Sequence, residues 1–139
     1  MTFFSWSDAY SVGAQFIDND HRRLVEMINA LHDAMTLGKE RDILGKTLDD
    51  LIQYTKEHFK REEDEMRRID YHAAAEHLAQ HERLIREVAD LQAKFHAGES
   101  LVTGAVLKFL KDWLVNHIMR TDIKFASALR RAGAAPVAV

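Results

Sequence analysis

Leu48-Asp49-Asp50-Leu51-Ile52-Gln53-Tyr54-Thr55-Lys56-Glu57-His58-Phe59-Lys60-Arg61-Glu62 is the stretch that decides the fold. Apolar or small side chains return at 48, 51, 52, 55 and 59, the three-and-four spacing of an amphipathic helix. Nothing in it alternates as a strand would. His58 falls three residues after Thr55, and Glu62 four after His58, so both share the apolar phase. Residues four apart on a helix differ in direction by only about 40°. An imidazole and a carboxylate therefore stand side by side on a face that should be core. The run from Lys60 to Glu65 otherwise reads as a solvated face: Lys60, Arg61, Glu63 and Asp64 fall out of phase, and Glu62 alone stays in it. Tyr54, one turn before His58, is expected to serve packing.

The same periodicity extends in both directions. One helix is expected over 19–37, with Asp18 as its N-cap and Leu24, Ile28, Leu31 and Met35 as its inner stripe. The quoted stretch belongs to a second helix over 42–68. A third covers 72–97, with Leu84, Val88, Leu91 and Phe95 inward. The fourth starts at 100 or 101 and runs to 131, with Val106, Leu110, Trp113 and Leu114 inward. Gly38 and Gly98 stand where left-handed helix caps belong, and Asp70-Tyr71 interrupts the pattern. The single proline, Pro136, lies beyond all four helices. Short connections favour antiparallel neighbours. The expected fold is all-α: an antiparallel up-down-up-down four-helix bundle over 19–132. An N-terminal arm over 1–18 carries Phe3, Phe4, Trp6, Tyr10 and Phe16, and a flexible tail covers 133–139.

Composition narrows the function. The 139 residues suit one domain with a sizeable core. A formal net charge of −3 with interspersed signs gives no basic block for nucleic acid. There is no cysteine, which excludes disulfides, thiolate metal sites and thiol catalysis. No apolar run is long enough to span a membrane, and the start lacks the pattern of a secretory signal. A cytoplasmic monomer is the expectation. The unusual figure is eight histidines.

Each inner stripe meets histidine when extended. His21 lies three before Leu24, His81 three before Leu84, His77 four before His81, and His117 four after Trp113. In an up-down-up-down bundle, His21, His58, Glu62, His77, His81 and His117 all reach the same end. Five inward imidazoles and a carboxylate would be costly to bury without a common partner, and a metal centre supplies one. Nitrogen and carboxylate donors without sulfur suit iron, manganese or zinc, and five histidines are too many for one ion. His32, His72 and His96 fall outside the pattern and are expected at the surface or half-buried.

These motifs resemble the hemerythrins, most of all the stand-alone bacterial ones. The matching segments are His21 within Ile17-Asp18-Asn19-Asp20-His21-Arg22-Arg23-Leu24, then His58-Phe59-Lys60-Arg61-Glu62, His77-Leu78-Ala79-Gln80-His81 and His117-Ile118-Met119-Arg120-Thr121-Asp122. Together they span nearly the whole chain. The resemblance implies two iron ions joined by an oxide or hydroxide. His77, His81 and His117 would hold one, His21 and His58 the other, and Glu62 and Asp122 would bridge them. It adds Asp122, which periodicity misses: five residues from His117 is about 140° away on a regular α-helix. A π-type bulge between the two is therefore expected.

Filling the coordination positions in this way leaves one open, beside His21 and His58. The implied function is reversible dioxygen binding for transport, storage or delivery, with no catalytic residue. Leu24, Phe59, Trp113, Leu114 and Ile118 are the candidate lining of the oxygen pocket. The rival readings are an oxygen or redox sensor, a di-iron redox enzyme acting on peroxide or nitric oxide, and an iron store. An oxygen-consuming or signalling protein would be the partner.

Overall fold

The computed structural model describes residues 3–98 and 104–134. α1 (Gln15–Thr36), α2 (Arg41–Arg68) and α3 (Ala74–His96) are followed by a fourth rod in three parts. These are α4 (Gly104–His117), a five-residue π-helical turn (Ile118–Asp122) and α5 (Ile123–Ala134). The helices form an antiparallel bundle: α1 packs on α2, α2 on α3, and α4 returns along α1. The expected start of the fourth helix, at 100 or 101, lies outside the described residues, as does 135–139 of the expected tail. Gly133 and Ala134 still belong to α5. No helix among the described residues is long and apolar enough to cross a membrane.

The connections follow from local chemistry. α1 ends at Gly38, φ +65°, with Lys39 N–H donating to the Ala34 carbonyl at 3.0 Å. That is the six-to-one bond of a Schellman cap, and glycine takes the left-handed position without a Cβ penalty. α2 ends the same way with Asp70 at φ +52° and Tyr71 N–H on the Met66 carbonyl at 2.9 Å. An aspartate tolerates that conformation better than a branched residue, and the turn sends the chain back toward α3.

α1 begins earlier than expected, at Gln15, and the arm is correspondingly shorter. Asp18 is not the N-cap; Ala14 holds that position without a side-chain bond. The Asp18 carboxylate is buried and caps the arm instead, accepting from Ser11 Oγ at 2.6 Å and from Val12 N–H at 2.9 Å. The helix extends to Gln15 because those bonds fold the arm back over its first turn. Further along the arm, Asn29 clamps Phe4: its Oδ1 accepts from Phe4 N–H at 2.9 Å and its Nδ2 donates to the Phe4 carbonyl at 2.7 Å. Phe4 is fully buried, and Phe3 stacks on His32 at 4.6 Å. The arm is thus part of the core.

Below the arm the core is Ile28, Leu31, Leu48, Leu51, Val88, Phe95, Leu107 and their neighbours. Burying each such side chain contributes about 1.5–3 kcal/mol. Gly45 lets α2 and α3 approach closely, since a Cβ there would lie 3.2 Å from the Phe95 ring. At the opposite end of the bundle the core becomes polar.

Candidate metal centre

His21 on α1, His58 and Glu62 on α2, His77 and His81 on α3, His117 at the end of α4 and Asp122 at the end of the π turn meet at one end of the bundle. All seven are buried. The π turn is what brings Asp122 in. Ile123 N–H bonds to the Ile118 carbonyl, five residues back. One residue is thereby inserted into the helix, so side chains five apart face the same way.

The five imidazoles direct Nε2 at the two carboxylates, and the carboxylates divide their oxygens between them. Asp122 Oδ1 lies 3.0 Å from both His77 Nε2 and His117 Nε2, while Oδ2 lies 2.9 Å from His21 Nε2. Glu62 Oε1 lies 3.2 Å from His81 Nε2 and 3.8 Å from His77 Nε2, while Oε2 lies 3.5 Å from His58 Nε2. Two donor groups result: Glu62, His77, His81, His117 and Asp122 in one, and His21, His58, Glu62 and Asp122 in the other. Within each group the donor atoms lie within 4.8 Å of one another. The two carboxylates are common to both groups.

These contacts are close without being aligned as hydrogen bonds. His21 Nε2, His58 Nε2 and both oxygens of Glu62 and of Asp122 are buried with no hydrogen-bond partner. His117 Nε2 sits 3.2 Å from the Nε2 of both His77 and His81, nitrogen against nitrogen. Buried polar groups are ordinarily satisfied. Nitrogen and carboxylate donor atoms converging on shared points without hydrogen-bond partners fit divalent or trivalent cations.

Electrostatics agree. Among protein groups alone, burial and the neighbouring His117 and His77 push His81 down to about 2. Burial also lowers His58. Both rings are therefore neutral, as a metal ligand must be. Burial, and then the charge of Asp122, push Glu62 well above the usual carboxylate range. Burial alone would raise Asp122, but His117, His21 and His77 hold it far below. A cation would relieve the crowding of the two carboxylates.

A second ring of groups fixes the imidazoles from behind. His58 Nδ1 donates to Asp20 Oδ2 at 2.9 Å, His81 Nδ1 to Glu63 Oε2 at 3.0 Å, and His117 Nδ1 to Gln80 Oε1 at 3.0 Å. Gln80 Oε1 also accepts from Thr121 Oγ1 at 2.9 Å. Such bonds keep Nε2 free to coordinate. Here the solvated-face reading of the charged run is half corrected. Lys60 and Asp64 do form an exposed pair at 3.1 Å. Glu63, however, turns in to His81, and Arg61 Nε reaches Asp20 at 2.8 Å. Tyr54 also does more than pack, donating from its hydroxyl to Asp20 Oδ1 at 2.9 Å. Burial would raise Asp20, but hydrogen bonds from His58, Arg61 and Tyr54 hold it well below the usual range. A signal for this was present: Asp20 abuts His21, and Tyr54, His58 and Arg61 recur at four and three on one edge of α2.

A cavity of about 40 Å³ runs from the centre into the apolar core. Leu24, Phe59, Trp113 and Leu114 line it, together with His21 and His58. Ile118 is not among its lining; it is fully buried in the packing of the core. His32, His72 and His96 belong to neither donor group. His32 packs under Phe3, His72 is exposed, and His96 pairs with Asp49 at 2.8 Å.

Comparison with known proteins turns this geometry into a family. The model of the hemerythrin HHE cation binding domain matches residues 12–129. The chain belongs to the hemerythrin family. Among relatives of this hemerythrin, the bacteriohemerythrin of Methylococcus capsulatus is 42% identical over 93% of this chain and 98% of its own. That of Pseudomonas aeruginosa strain PAO1 is 40% identical over 95% of this chain and 85% of its own. The crystal structure of a wild-type hemerythrin superposes with a TM-score of 0.88 at 41% identity, covering 91% of this chain and 98% of that one. The hemerythrin family binds non-haem iron, and the donor set assembled here suits it.

Proposed function

We propose that this hemerythrin binds dioxygen reversibly at two iron ions linked by an oxide or hydroxide. His77, His81 and His117 hold one, His21 and His58 hold the other, and Glu62 and Asp122 bridge them. The observation that carries the reading is the division of both carboxylates between a group of three imidazoles and a group of two. An ion held by the smaller group would have fewer protein donors, and so room for a small ligand. In keeping with that, both imidazoles of the smaller group, His21 and His58, line the cavity, whereas of the larger group only His117 does.

Iron held by these seven residues would supply reversible electron transfer to dioxygen. The protein shapes the rest. A cavity of about 40 Å³ has room for a diatomic molecule or a few waters, since one water needs about 10–15 Å³ on this measure. It excludes an organic substrate. Apart from the donor residues, the described side chains on its wall are apolar except for Trp113, with its indole N–H, and Thr55, whose hydroxyl donates to the Leu51 carbonyl at 2.8 Å. A dry wall keeps protons away from bound oxygen and slows irreversible oxidation. This reading needs no side chain to act as an acid or base. The same reading places it in the cytoplasm, as a monomer that supplies an oxygen-consuming or signalling partner.

The test is the iron content and visible spectrum of the reduced protein, before oxygen, after oxygen and after degassing. Two irons per chain and an oxygen-dependent band that disappears on degassing are expected. Irreversible conversion to the oxidised spectrum, with steady turnover of peroxide or nitric oxide, would replace the carrier by a redox enzyme. No bound iron would refute the reading.

A further inference from the structure

Asp20 collects three donors. Its Oδ2 accepts from both His58 Nδ1, at 2.9 Å, and Arg61 Nε, at 2.8 Å; its Oδ1 accepts from the Tyr54 hydroxyl at 2.9 Å. The carboxylate is buried, yet Arg61 and Tyr54 reach toward the surface. Asp20 also directly precedes His21 on α1. It is thus tied by the backbone to one of the two imidazoles on the open side and by a hydrogen bond to the other. The three-imidazole side is supported differently, by half-exposed Glu63 behind His81 and neutral Gln80 behind His117. His21 Nδ1 and His77 Nδ1 are buried without a partner.

We propose that Asp20 is a positioning residue that sets how strongly His58 donates to the oxygen-binding iron, and that Arg61 moderates it through the shared oxygen. This inference rests on the di-iron reading above. A carboxylate accepting the Nδ1 proton makes the imidazole more electron-rich at Nε2. That favours the oxidised state of the metal and hence the oxygen-bound form. The guanidinium competes for the same lone pairs and carries opposite charge, so it weakens the effect. His58 is the natural point of control, because among the described residues His21 Nδ1 has no such partner.

The two substitutions therefore act in opposite directions. Asp20→Asn keeps the shape and an acceptor but removes the charge. The dioxygen dissociation rate is expected to rise about tenfold, within the range seen for such outer-shell changes, and the iron potential to move upward. Arg61→Met keeps the stem and frees the shared oxygen for His58; dissociation should slow a few-fold and the potential move down. Tyr54→Phe should follow Arg61→Met more weakly. A purely structural clamp between α1 and α2 would loosen in all three variants and move every reading the same way.

The experiment is stopped-flow oxygen release and spectroelectrochemistry on the iron-loaded wild type and the three variants. Proton NMR of the His58 Nδ1–H in metal-free protein accompanies it. Opposite shifts for Asp20→Asn and Arg61→Met, with the NMR signal moving upfield in the first and downfield in the second, support the proposal. Shifts of one sign, or none in variants of a wild type that binds oxygen reversibly, overturn it. A wild type without a reversible band refutes the functional reading instead, and the order of the NMR shifts then decides the Asp20 claim alone.

Discussion

Replacing Glu62 by leucine should stabilise the metal-free protein and destabilise the iron-loaded one. Both Glu62 oxygens are buried without a hydrogen-bond partner, and burial together with Asp122 forces the carboxyl to keep its proton. A buried polar group left unsatisfied costs about 1–3 kcal/mol. Leucine is similar in size, has no polar atom, and would join Met66 and Phe59 as core. A gain of about 2 kcal/mol corresponds to roughly 5–10 °C in Tm for a domain of this length. Iron works in the opposite direction. At a free concentration a thousandfold above its dissociation constant it stabilises by about 4 kcal/mol, and without one bridging carboxylate that stabilisation should be lost. Circular dichroism melts at pH 7, with and without iron, would show the crossing: the variant melts higher than wild type when stripped and lower when loaded. If the stripped variant melted lower by several degrees, Glu62 would be a satisfied structural group. These residues would then not be held in readiness for metal.

Acid should unfold the metal-free protein early. His81 is depressed to about 2, and His58 is lowered too. The unfolded chain takes up these protons near pH 6.5, so below that value it binds more protons than the folded one, and stability falls as pH falls. Each histidine contributes up to about 1.4 kcal/mol per pH unit; a Tm that stayed level between pH 6.5 and 4.5 would contradict this. Leu24→Thr puts a hydroxyl into the dry wall, and autoxidation of the oxygenated protein, followed by decay of its visible band, should accelerate about tenfold while the band still forms. Gly13→Ala should cost about 1–2 kcal/mol. Gly13 has φ +82°, and an added Cβ would meet the Arg130 guanidinium, which donates to the Val12 carbonyl. Limited proteolysis should then cut the arm faster than in wild type.

The division between sequence and tertiary structure runs along periodicity. Four helices, the inward histidines and Glu62 were legible because burial and helical phase coincide in Leu48, Leu51, Thr55, His58 and Glu62. Asp122 was out of phase with His117; only the family motif supplied it, and the need to bring it inward implied the π turn that is present at Ile118–Asp122. The groups behind the imidazoles were not legible in that way. Arg61 and Glu63 looked solvated on their own helix, since phase records which face a residue occupies and not what a neighbouring helix offers to it. Arg61 meets Asp20 from α1, and Glu63 meets His81 from α3. Ile118, next to His117 in sequence, packs into the core and does not line the cavity, because adjacent residues on a helix point about 100° apart. The sequence by itself thus determined the bundle, the end at which its histidines meet and the kind of ion they suit. Only the tertiary structure decided which oxygen of each carboxylate faces which imidazoles, and which side chains stand behind them. Those are distances between helices, and no single helix encodes them.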